Sequence, residues 1–106
     1  MLIQTDIDVE KFIYSLESNT RSKVARVVAL LEKFSYEIGM PHSKKVTKDI
    51  FELRIKGQLE VRIFYCFFED RIFLLSAFIK KTQKTPSKEI EIARKRLREM
   101  LNEEKK

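Results

Sequence analysis

Near residue 50 the spacing of apolar side chains changes from steps of three and four to strict alternation. A chain of 106 residues that makes this change once is confined to one domain, residues 1–106, in which helices are followed by a sheet. Before the change, Val24, Val27, Val28, Leu31, Phe34 and Ile38 recur at helical spacing, and Val9, Phe12, Ile13 and Leu16 do so in a shorter segment. Asp8 is the expected cap of the short helix and Ser18 or Asn19 that of the long one, with Gly39 and Pro41 as the stop. The two helices are expected to pair antiparallel along one apolar seam, and Met1 to Thr5 has room for a short strand ahead of them.

After the change, Phe51, Leu53 and Ile55 alternate with Glu52, Arg54 and Lys56, and Gly57 supplies a turn. Leu59, Val61, Ile63, Tyr65 and Phe67 then alternate with Glu60, Arg62, Phe64, Cys66 and Phe68, which completes a hairpin. Glu69 and Asp70 make the next turn, and the nearly unbroken apolar run Ile72 to Ile79 predicts an inner strand covered on both faces. Pro86 behind a Thr85 cap starts a last helix. Its apolar face is Ile90, Ala93, Leu97, Met100 and Leu101, with Arg94, Lys95, Arg96 and Arg98 largely around the other side. The predicted class is α+β, with two N-terminal helices packed on a three- to four-stranded antiparallel sheet, followed by a C-terminal helix.

Register decides whether the charged strand residues can act together. A three-residue loop, Gly57 to Leu59, places Arg54 opposite Arg62, Leu53 opposite Ile63 and Phe51 opposite Tyr65. A two-residue loop sends the two guanidinium groups to opposite faces. The first register makes one face uniformly apolar and is preferred for that reason. Two arginines directly opposite repel by up to about 1 kcal/mol, a cost borne most easily where an anion binds between them.

Composition narrows the chemistry. With 43% hydrophobic residues, eight of them Phe, the chain can bury a core, which excludes a disordered tail. It has no apolar run long enough to cross a bilayer and no basic start followed by an apolar stretch, so a cytoplasmic protein without a membrane partner is expected. A single cysteine, Cys66, and a single histidine, His42, make neither an intramolecular disulfide nor a four-ligand zinc site, so no metal is expected. Glycine-rich phosphate loops and nucleophile elbows are absent as well, and no cofactor is expected. His42 reads as a solvated loop residue and Cys66 as a small core side chain.

What remains is charge. Residues 1–43 carry five basic and six acidic groups, whereas residues 80–106 carry ten basic and five acidic, so the excess lies toward the C-terminus and suits a polyanion. Arg54, Arg62, Lys80 and Lys81 form a basic cluster on the sheet, next to Phe64, Tyr65 and Phe78. Aromatic faces can stack on splayed bases while the cations hold phosphates. The competing reading assigns Phe64 and Phe78 to the core and the lysines to a sheet edge.

The segments ELRIKG at 52–57, VRIFYCF at 61–67 and LLSAFIKKTQKTPSKEIEIARKRL at 74–97 closely resemble the HigB-like branch of the RelE/ParE toxin superfamily. These are small toxins of type II toxin–antitoxin modules, often phage-derived. The resemblance implies a RelE-like, microbial-ribonuclease-type fold and a metal-independent endoribonuclease that cleaves mRNA, commonly on the ribosome, and so blocks translation. It also implies a cognate antitoxin, often of the helix-turn-helix type, through which alone operator DNA would be contacted.

By the same resemblance Arg62 matches the family arginine of the second hairpin strand, and Lys80 and Lys81 match the basic residues after the last strand. Ser76 and Ala77 stand where many relatives read His-Gly, so no histidine role carries over. Residue chemistry then assigns phosphate stabilisation to Arg62 with Arg54 beside it, and a lysine among arginines as a candidate base. Tyr65 is an alternative proton carrier that the preferred register turns toward the apolar face. Lys84, Arg94, Lys95, Arg98 and Phe78 are expected to bind RNA. Two further readings stay open: a ParE-like toxin that inhibits a protein target such as DNA gyrase, and an inactive phage-derived binding module.

Overall fold

The hairpin forms in the register that buries one apolar face. In the computed structural model, which describes residues 1–104, β3 (Phe51–Ile55) and β4 (Val61–Phe68) pair antiparallel with Phe51 opposite Tyr65, Leu53 opposite Ile63 and Arg54 opposite Arg62. The last ladder pair is Ile55 with Val61, so residues 56–60 form the connection. β5 (Arg71–Ile79) follows antiparallel to β4 and lies inside the sheet, as its apolar run predicts.

Two strands enlarge the expected three- to four-stranded antiparallel sheet to five in the order β1-β5-β4-β3-β2, with mixed direction. β1 (Leu2–Thr5) runs parallel to β5 and forms one edge. A parallel pair needs a long connection, and the helices and strands between β1 and β5 supply it. β2 (Ser43–Lys45) forms the other edge against β3, in a segment too short and too polar to announce itself by alternation.

The helices occupy both faces. α1 (Ile7–Ser15) and α2 (Ser18–Phe34) cover the face that carries Leu53, Ile55, Val61, Ile63 and Tyr65, burying Val9, Val24, Val27 and Leu31 against it. Asp6, not Asp8, caps α1 by accepting the Asp8 amide at 2.9 Å, and Glu17 precedes α2 without a side-chain cap. α2 stops at Phe34, short of Gly39 and Pro41, because Ser35 adopts a left-handed φ of 50° and a 3₁₀ turn follows at Ser35–Glu37. Phe34 at that end is 46% exposed, against the expectation that it is buried. No described helix is long and apolar enough to cross a membrane.

α3 (Ser87–Glu104) covers part of the opposite face through Ile90, Ala93, Leu97, Met100 and Leu101, against Phe64, Cys66, Leu75 and Phe78. Pro86 stands one residue ahead of the helix. A β-bulge serves this packing: Phe64 pairs with Ser76 and Tyr65 with Leu74, which leaves Leu75 as the extra residue. Leu75 and Ser76 therefore sit consecutively on the α3 side, while Leu74 and Ala77 belong to the other core. Arg96 is not a free surface cation, since it donates to the Leu75 carbonyl at 2.8 Å and to Asp8 at 2.7 Å, pinning α3 to β5 and α1. Lys105 and Lys106, counted in the basic excess, lie outside the described residues.

Candidate nucleic-acid interface

On the sheet face that α3 packs against, the alternation of β3 and β4 delivers the arginines to a hollow that no α3 residue lines. Arg54 and Arg62 lie side by side across the ladder, and Arg62 also pairs with Phe78 on β5. One row further along, Glu52, Phe64 and Ser76 cross the same three strands. Glu52 sits diagonally between the arginines, with Oε1 at 3.7 Å from the Nε of each. It is 4% exposed and Arg62 only 3%, so the ion pair is withdrawn from solvent. Its Oε2 accepts the Thr85 hydroxyl at 3.3 Å, which ties the loop before α3 to the sheet.

Neither arginine Nε finds a hydrogen-bond acceptor. At 3.7 Å both are attracted by Glu52 without bonding to it, so the cluster holds more donors than acceptors, as an anion site would. Arg62 donates its Nη groups to the Val61 carbonyl at 3.2 Å and to Glu60 Oε1 at 3.2 Å. Arg54, Glu60, Arg62, Lys80, Lys81, Thr82 and Gln83 line an open hollow of about 510 Å³. With four cations against one lining carboxylate, the hollow suits a phosphodiester, whose non-bridging oxygens match guanidinium donors.

The structure thus brings together Arg54, Arg62, Lys80 and Lys81, all four picked from the sequence for chemistry. It does not bring the other candidates to the hollow. Lys84 is exposed on the loop that the Thr82 hydroxyl folds by donating to the Lys84 carbonyl at 2.8 Å. Arg94, Lys95 and Arg98 lie on the solvent side of α3, with Arg94 held by Glu91 at 2.8 Å. At about 1.5 Å per helical residue, Arg98 stands roughly 16 Å along the axis from Ser87. Phe78 is 7% exposed with its ring 5.4 Å from that of Phe64, so it is a core residue and offers no open face to a base.

Tyr65 and Cys66 are equally removed from proton transfer. Tyr65 is fully buried on the α1–α2 side with its hydroxyl bonded to that of Ser43, and burial raises its pKa more than that bond lowers it. Burial first and the nearby Asp49 charge second push the Cys66 thiol up to about 12. His42 is half-buried rather than fully solvated, its carbonyl accepting the Arg54 amide at 2.7 Å where the chain enters β2. Among the described residues no three of His, Cys, Asp and Glu converge as metal ligands.

Sequence reasoning missed Glu52 and Glu60. The signal was present, because two-residue spacing puts Glu52 on the face of Arg54 and Glu60 on that of Arg62. Carboxylates at strand positions are ordinarily solvated, so the alternation alone does not mark these two as partners of the arginines.

Comparison with protein families matches residues 11–98 to the family described as phage-derived protein Gp49-like (DUF891). The matched span includes Glu52, Arg54, Glu60, Arg62, Lys80 and Lys81. No curated protein matches the chain.

Proposed function

Because the chain belongs to the Gp49-like family of phage-derived proteins, a family associated with RelE-like toxins, we propose that it is the toxin of a type II toxin–antitoxin module and cleaves mRNA. The observation that carries this reading is the convergence of Arg54, Arg62, Lys80 and Lys81 on one open hollow. The HigB-like resemblance of the strands and of the KKTQKTP loop adds to it.

In this reading the scissile phosphate enters the hollow and takes the unused donor capacity of the arginines. The 2′-oxygen attacks phosphorus in line with the departing 5′-oxygen. Arg62 and Arg54 meet the charge that grows on the non-bridging oxygens, and an ammonium group of Lys80 or Lys81 stands ready for the leaving oxygen. The ribosome is the proposed setting, and a separate antitoxin, of the helix-turn-helix type, the proposed inhibitor.

Inducing the protein without its neighbouring gene should arrest growth and shorten messages within minutes, with protection restored by co-expressing the neighbour. Growth that continues while folded protein accumulates would remove the toxin reading. The burial of Arg62 by two carboxylates, with Ser76 where relatives carry histidine, favours a second reading as a non-nuclease toxin acting on a protein target such as DNA gyrase. Arrest with intact messages and lost supercoiling in extracts would select it.

The outward cations of α3 serve as an electrostatic surface in the first reading. Changing Lys95 or Arg98 singly to Gln should weaken RNA or ribosome binding modestly and reduce the slope of log affinity against log salt by just under 1. Cleavage at saturating RNA should be unchanged. Titrations across a salt series check this, and an unchanged slope with weakened antitoxin binding assigns that face to the inhibitor.

A further inference from the structure

We infer that Glu60 is the proton acceptor in the proposed cleavage, an inference that rests on the ribonuclease reading and supplies the group that reading leaves unassigned. Glu60 lies just before β4, opposite Lys80, whose amide donates to the Glu60 carbonyl at 2.7 Å and extends the β4–β5 pairing by one step. Two-residue alternation from Arg62 and from Phe78 carries both positions to the arginine face. The side chains of Glu60 and Lys80 line the same hollow as Arg54, Arg62 and Lys81.

The carboxylate is oriented and has one oxygen to spare. Oε1 receives Arg62 Nη2 at 3.2 Å, whereas Oε2 accepts no hydrogen bond among the described residues. The side chain is 39% exposed, so substrate can reach it. Glu52, the other carboxylate of the cluster, is unsuited on each count: it is buried, Oε1 faces both arginines and Oε2 is engaged by Thr85. A carboxylate also accepts a proton without first having to lose one, as a lysine ammonium must.

The step balances with groups already in the hollow. Glu60 Oε2 takes the 2′-hydroxyl proton as the 2′-oxygen bonds to phosphorus. The bond from phosphorus to the 5′-oxygen breaks, its electron pair leaves with that oxygen, and Lys80 or Lys81 supplies a proton. The products are a 2′,3′-cyclic phosphate and a 5′-hydroxyl, and exchange with water deprotonates Glu60 and reprotonates the lysine. Arg62 holds the base and the phosphate together, which is the orienting role that a base needs from a third group.

The test compares wild type, Glu60→Gln, Glu60→Asp and Glu60→Ala on free and ribosome-bound messenger. Glu60→Gln is expected to lower kcat about a hundredfold or more, the ordinary contribution of a positioned base, with KM unchanged or lower because Arg62 loses a competing anion. Wild-type kcat should rise with pH along an acid limb that Glu60→Gln lacks. The charged groups facing this carboxylate are Arg54 on β3, Arg62 on β4, Lys80 and Lys81 after β5, with Glu52 behind the arginines. Glu60→Asp should retain part of the rate, and added formate should restore part of it to Glu60→Ala. A Glu60→Gln protein with wild-type melting temperature, kcat and acid limb overturns the inference, as does one that binds RNA more tightly and cuts as fast, which makes Glu60 a mere counter-ion. Wild type that leaves both messengers intact overturns the ribonuclease reading and the inference with it, and that result is read without any variant.

Discussion

Arg62→Ala is expected to lose cleavage by about a hundredfold or more and also to lose about 3 to 5 kcal/mol of stability. The second loss follows from burial. Arg62 is 3% exposed and lies 3.7 Å from Glu52, itself buried, so truncation leaves that carboxylate with only the equally distant but more exposed Arg54 and the Thr85 hydroxyl. For a domain whose total stability is about 5 to 15 kcal/mol, this is a large fraction. Lost toxicity in that variant therefore reports on folding as much as on chemistry. Arg62→Lys separates the two, since it keeps a charge beside Glu52 and loses the planar fork that reaches Glu60 and the phosphate together. Urea melts should place Arg62→Lys near wild type, while single-turnover cleavage by its folded form stays far below wild type. Full cleavage by Arg62→Lys would move the chemistry elsewhere.

Glu52→Ala should be comparably destabilising, by about 3 to 5 kcal/mol, although it touches no substrate. It leaves Arg54 and Arg62 directly opposite each other with no carboxylate between them, and it frees the Thr85 hydroxyl that fastens the loop ahead of α3. Two readouts follow. Limited trypsin digestion should cut faster after Lys80, Lys81 or Lys84 in the variant. In a double-mutant cycle with Arg62→Ala, the combined loss should fall short of the sum of the single losses by roughly 1 to 3 kcal/mol, since each single change already breaks the same pair. Strict additivity together with an unchanged digestion rate would show that the Glu52 cluster neither holds the arginines nor anchors the loop.

These effects show why the site was half legible. Arg54 and Arg62 were found because strand alternation and the apolar partners Leu53 and Ile63 leave one satisfactory register, and the observed ladder has it. Lys80 and Lys81 stand out in the sequence as a basic pair directly after the last apolar strand, the resemblance adds to that reading, and the end of β5 brings them to the arginines. The burial of Arg62 was not legible, because a charged side chain at a strand position is ordinarily exposed and only the carboxylates of Glu52 and Glu60 make its withdrawal from water tolerable. Phe78 illustrates the reverse: its place beside Arg62 was evident from pattern, yet α3 and Phe64 claim its ring for the core.

What the sequence by itself determined is whatever local periodicity encodes: two helices, a hairpin of one register, an inner apolar strand, a final amphipathic helix, and the gathering of cations on one sheet face. These depend on the step of the chain, which is the same wherever the segment ends up. What only the tertiary structure decided depends on partners distant in sequence. β1 is a strand because β5 offers it an edge 69 residues further on, in the register of Leu2 with Arg71. β2 is a strand because β3 does the same, and Leu75 and Ser76 share a face because a bulge against β4 lets both meet α3. The hollow exists because β3, the start of β4 and the loop after β5 bring Arg54, Glu60, Arg62, Lys80 and Lys81 together, while α3, pinned by Arg96 to β5 and α1, contributes no residue to its lining.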